Sequence, residues 1–125
     1  MKKYFLIILL CGVNAYAKPV NFEKLYQSWG ADITKADTKK ARTMWTQEFV
    51  AGRSCASCHT NNLKRYGAHI KTKKKIKPLS VKVNPKRLAS IRKINKWLKR
   101  NCKFTYKREC SPQEKMNFIE FIKQN

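Results

Sequence analysis

One run of five residues, Cys55-Ala56-Ser57-Cys58-His59, constrains this chain more than anything else in it. C-x-x-C-H is the attachment signature of c-type haem. The two thiols are spaced to form thioethers with the two vinyl groups of one porphyrin, and the adjacent imidazole falls under the iron as its proximal ligand. A bare C-x-x-C also serves zinc sites and thioredoxin-type redox pairs. Zinc needs a second half-site, but Cys11, Cys102 and Cys110 stand singly and no His pair follows. A thioredoxin pair needs a βαβ context, which nothing here supplies. The motif thus predicts one covalent haem c, with Cys55 and Cys58 as thioether donors and His59 as an iron ligand.

The N-terminus agrees with that chemistry. Lys2 and Lys3, the apolar run Tyr4 to Leu10 and the small-x-small pattern Ala15-Tyr16-Ala17 read as a signal peptide over residues 1–17, removed to leave a domain over 18–125. The apolar run is too short to span a bilayer, so no stable membrane span is expected. Leu10 stands where a lipoprotein signal would want a small residue, and Cys11 is read as discarded with the signal. Export to the periplasm puts the chain where disulfides persist. A single domain of this size gains from a covalent apolar plate and a crosslink.

Net charge is +22 for the full chain. So basic a domain ordinarily suggests nucleic acid, but an exported protein does not meet it, so no nucleic acid is expected. An acidic redox partner suits the charge better, because opposite fields raise encounter rates and fix orientation. Loose attraction to anionic head groups, or a lysine-rich genome, gives the same composition.

Apolar periodicity is helical. Phe22, Leu25, Tyr26 and Trp29 follow the i, i+3, i+4, i+7 pattern, with Gly30 as a stop. A second helix is predicted from Asp37 to Glu48, with Ala41, Met44 and Trp45 inward. Residues 60–87 read as a basic loop wrapping a haem edge. A helix over 89–101 puts Ile91, Ile94, Trp97, Leu98 and Asn101 on one face. Cys102 to Cys110 reads as a loop, and Ser111-Pro112-Gln113-Glu114 opens a last helix with a capping box. The fold class is all-α, with helices on both sides of a single haem.

The second axial ligand decides the function. Between His59 and Met116 there is no methionine. Met116 and Met44 read as core residues, and His69 as a loop histidine on a short tether. Asn101 is the donor its helical face offers, although a buried Asn more often caps or bridges.

Beyond the haem motif, Gly52-Arg53-Ser54, Thr72, Lys74, Ile76, Pro78, Leu79, Pro85, Arg87, the run Lys96-Trp97-Leu98-Lys99-Arg100-Asn101-Cys102, Arg108-Glu109-Cys110 and Glu114-Lys115 form a more specific pattern. It resembles the sphaeroides haem protein family of oxygen-binding class I cytochromes c. The resemblance implies a small single-haem class I fold, Asn101 as the distal iron ligand and a Cys102–Cys110 disulfide beside it. It also implies a diheme or other multihaem cytochrome as redox partner, and a diatomic gas, oxygen or nitric oxide, as the bound ligand. Pro78 is the family-style carbonyl acceptor for the second ring N–H of His59. Two positions depart from the family, Lys73 where glycine is usual and Leu88 where an aromatic is usual; both bear on the loop rather than on the ligand.

A carboxamide is a neutral, fairly hard donor that suits Fe(III) and holds Fe(II) weakly. Reduction is therefore expected to free Asn101 and open one face of the iron, with the freed amide able to donate to a bound gas. The competing reading is an ordinary six-coordinate electron carrier with His69 or a methionine as distal ligand. No proton-relay pair or second metal site is visible, so a gas-binding electron-transfer protein is expected rather than a dedicated enzyme.

Overall fold

A computed structural model describes residues 18–125; the expected signal peptide, with Cys11, lies outside the described residues. Helix α1 (Phe22–Trp29) is capped by the Asn21 side chain and stopped at Gly30, whose φ of 77° is open to glycine without a Cβ penalty. Helix α2 (Thr38–Thr46) starts on Asp37, whose carboxylate accepts from the Lys40 N–H. The haem motif forms the short helix α3 (Cys55–His59). Helices α4 (Ile91–Tyr106) and α5 (Pro112–Gln124) complete the fold, α5 opening on the Ser111/Glu114 capping box. Among the described residues, no helix is long and apolar enough to cross a membrane.

Two structural findings depart from expectation. The 60–87 segment is not wholly loop: β1 (Gly67–Ala68) and β2 (Lys75–Ile76) pair antiparallel as a short hairpin, in the register Gly67 to Ile76. Helix α4 also continues through the segment read as a loop and ends at Lys107 in the left-handed region. Cys102, Thr105 and Tyr106 are buried and extend the stripe begun by Ile94 and Leu98, so tertiary burial carries the helix onward. Trp97 leaves that stripe and is 47% exposed.

Two apolar clusters hold the helices. One joins α2, α4 and α5 through Met44, Trp45, Tyr106, Phe118 and Phe121, with Trp45 and Phe121 rings 5.5 Å apart. The other packs Leu25 and Tyr26 of α1 on Ile94, Met116 and Ile119. The Tyr26 hydroxyl donates to Glu120 at 2.6 Å. The intervening segment is stitched to this frame. Leu79 and Ser80 N–H groups both donate to the Leu63 carbonyl at 2.9 Å, and the buried Ser80 hydroxyl donates to the Asn125 carbonyl at 2.6 Å.

Candidate haem attachment site

Local hydrogen bonding places the motif. Ser54 Oγ accepts from the Ser57 N–H at 3.0 Å while Ser57 Oγ accepts from the Ser54 N–H at 2.8 Å, a reciprocal cap that starts α3. One turn of helix then puts Cys55, Cys58 and His59 on adjoining positions. Trp45 braces the end of the turn: its indole N–H donates to the Thr60 carbonyl at 2.9 Å, and its ring lies 5.7 Å from the His59 ring. Gly67 presses on the other side, where a Cβ would fall 1.9 Å from the Cys58 carbonyl oxygen, so only glycine fits there. The Ile70 N–H approaches Cys58 Sγ at 3.3 Å.

The donor set fits a c-type haem. Cys55 and Cys58 are free thiols, and Cys102 and Cys110 form a disulfide with each other. Burial raises the Cys55 thiol to about 11. Burial first, and the nearby Arg87 charge second, lower His59 to about 4, keeping the imidazole neutral with a lone pair to donate. Phe49, Leu79, Leu88 and Leu98 pack half-buried against the same apolar cluster as Cys55 and Ala56 of the motif. The Pro78 carbonyl does not serve as expected: it accepts from Asn84 Nδ2 at 3.0 Å and from Arg87 Nε at 2.9 Å, so both its lone pairs are engaged.

Asn101 lies inside α4, exposed, one helical turn beyond Trp97. It is not at the end of the buried stripe but on its flank, shared with Trp97 and Phe104. Phe104 links this flank to the motif: its ring is 5.3 Å from His69, the neighbour of Ile70, and the Arg53 guanidinium stands 4.3 Å over it. The other nominated donors are engaged elsewhere. Met116 is 1% exposed in the α1–α5 core, and Met44 is buried in the α2–α5 cluster. His69 Nδ1 accepts from the Lys71 and Thr72 N–H groups at 3.3 and 3.2 Å, which leaves the ring proton of the neutral form on Nε2.

Sequence alone assigns no role to three contributors, of which Arg53 stands there only as part of the family pattern. Gly67 acts by close approach, and Arg53 by stacking on a residue distant in sequence. Tyr106 lies four residues past Cys102, a spacing that would have marked it had the helix been carried on.

The comparisons converge on one group. The family model described as "Domain of unknown function (DUF1924)" matches residues 31–122. Cytochrome c'' of Methylophilus methylotrophus is 44% identical over 69 residues, which cover 55% of this chain and 48% of that sequence. The chain thus aligns with about half the length of that relative. The cytochrome c-type protein SHP of Cereibacter sphaeroides is 31% identical over 91 residues, 70% of each sequence. Among solved structures, oxidised SHP, described as an oxygen-binding cytochrome c, superposes with a TM-score of 0.74 at 27% identity, covering 86% of this chain and all of that one. The solution structure of the Methylophilus cytochrome c'', a study of haem-ligand detachment, gives a TM-score of 0.64 at 33% identity over 82% of this chain and 91% of that one. The all-α fold is that of these small cytochromes. This chain belongs to the DUF1924 family and, with SHP, to the sphaeroides haem protein group of c-type cytochromes.

Proposed function

We propose that the chain, matured to residues 18–125 in the periplasm, is a single-haem cytochrome that accepts electrons and binds oxygen or nitric oxide in its reduced form. Cys55 and Cys58 anchor the haem, and His59 is the proximal ligand. When bound, the haem supplies one-electron chemistry and an axial position for a diatomic gas. Asn101 would be the distal ligand: a hard, neutral carboxamide would suit Fe(III) and hold Fe(II) weakly. The observation that carries this reading is the engagement of the rival donors, with Met116 and Met44 in the core and His69 Nδ1 taken by two backbone N–H groups. The description of SHP as oxygen-binding and the haem-ligand detachment studied in the Methylophilus cytochrome c'' support the same behaviour. The Cys102–Cys110 crosslink starts next to Asn101 and limits how far its part of α4 can retreat.

Absorption spectra of the purified protein, oxidised and reduced, with and without carbon monoxide or nitric oxide, test the proposal. A broad high-spin ferrous spectrum that shifts with either gas supports it. Sharp, split low-spin ferrous bands indifferent to both gases would replace it with a six-coordinate electron carrier.

A further inference from the structure

Between Glu48 and Glu109 the chain contains no Asp or Glu, while lysines and arginines recur throughout. Among the described residues, ion pairs fall on Lys35, Lys99, Lys103, Arg108 and Lys123, all partnered by acids outside that stretch. None falls on the β1–β2 hairpin, where Lys71, Lys73, Lys74, Lys75 and Lys77 stand exposed. Within this basic patch sits one exposed aromatic: Tyr66 is 53% exposed, with the Lys75 ammonium 4.1 Å above its ring. The hairpin is also held fast over the haem motif, through Gly67 against the Cys58 carbonyl and Ile70 against Cys58 Sγ.

We infer that this hairpin, centred on Tyr66, is the docking surface for the acidic face of an electron-transfer protein, which delivers its electron beside Cys58. The inference rests on the haem reading above and assigns its electron entry. In the step, the partner loses one electron and the iron held by this chain passes from Fe(III) to Fe(II), with no proton required. Unpaired ammonium groups provide steering and orientation, and Tyr66 provides the rigid amphipathic contact that interface centres favour. A protein partner suits this arrangement better than a lipid surface, because the cations share a short fixed hairpin with an exposed aromatic, Lys75 standing over the Tyr66 ring, rather than lying along an amphipathic helix.

Calorimetric titration of the ferric holoprotein with an oxidised, acidic plant-type [2Fe–2S] ferredoxin tests the surface without turnover. At low ionic strength, about 20 mM, Lys71→Glu with Lys74→Glu should weaken the affinity about tenfold or more. An equal charge change on α2, Lys39→Glu with Lys40→Glu, should leave it within about threefold. Equal losses from both pairs would overturn the patch and leave only net-charge attraction. Vesicles containing phosphatidylglycerol that lose binding with the hairpin pair, while ferredoxin affinity holds, would assign the surface to lipid and overturn the proposal as well. Haem content, read from the pyridine haemochrome spectrum, separates the two claims: its absence sinks the haem reading, whereas the titration judges the surface.

Discussion

The Tyr106 hydroxyl stands 3.1 Å from Cys55 Sγ and donates to the Met44 carbonyl at 3.1 Å. One side chain thereby ties the helix of the proposed distal ligand to the haem-anchoring turn and to α2. Tyr106→Phe keeps the ring against Phe49 and Phe118 and removes the buried hydrogen bond. It should cost about 1 kcal/mol in urea denaturation; an unchanged midpoint would show that the hydroxyl bears no load.

Lys73 occupies the left-handed region at φ 60°, where a Cβ is unfavourable. Lys73→Gly should therefore raise stability by up to about 1 kcal/mol, and Lys73→Val should lower it. Thermal melts of the two variants, if they moved in the same direction, would refute backbone strain as the cause.

The Arg108 guanidinium donates to Glu114 at 2.7 and 2.8 Å, and the Ser111 N–H donates to the same carboxylate at 2.8 Å. The Arg108 hydrogen bonds lead in holding the Glu114 carboxyl below the usual range. A lowered folded value stabilises above the ordinary glutamate pKa of about 4.3, and that contribution is lost as pH falls through the folded value. Stability measured from pH 6 downward should fall less steeply below about 4.3 in Glu114→Gln than in the parent. Parallel acid limbs would contradict the assignment.

The Cys102–Cys110 disulfide spans eight positions from α4 to the start of α5. Replacing both cysteines by alanine should cost about 2–3 kcal/mol and speed cyanide binding to the ferric protein, since Asn101 then retreats more freely. Loss of stability with unaltered cyanide kinetics would make the bridge a staple alone.

What was legible in the chain was what local chemistry decides. Gly30 as a stop, Asp37 and Ser111 as caps and the motif turn at Cys55–His59 each follow from a few neighbouring residues. Helix α4 was cut short because Lys103, Lys107 and Arg108 dilute its apolar pattern, and only packing against Met44 and Phe118 reveals Cys102 and Tyr106 as inward. Gly67 and the Arg53–Phe104 stack were hidden for the same reason, since both depend on segments that meet only in the folded chain. The Pro78 carbonyl departs from the family-style expectation because Asn84 and Arg87, later in the sequence, turn back to occupy it.

In the proposed function, Asn101 blocks the ferric centre and leaves the ferrous one. The most direct test is ligand association in each oxidation state, cyanide with ferric protein and carbon monoxide with ferrous protein, comparing the parent with Asn101→Ala. The substitution should accelerate cyanide binding about tenfold or more, equivalent to about 1.4 kcal/mol, while carbon monoxide binding should change little. Cyanide association at the same rate in both proteins would show that Asn101 does not hold the ferric site.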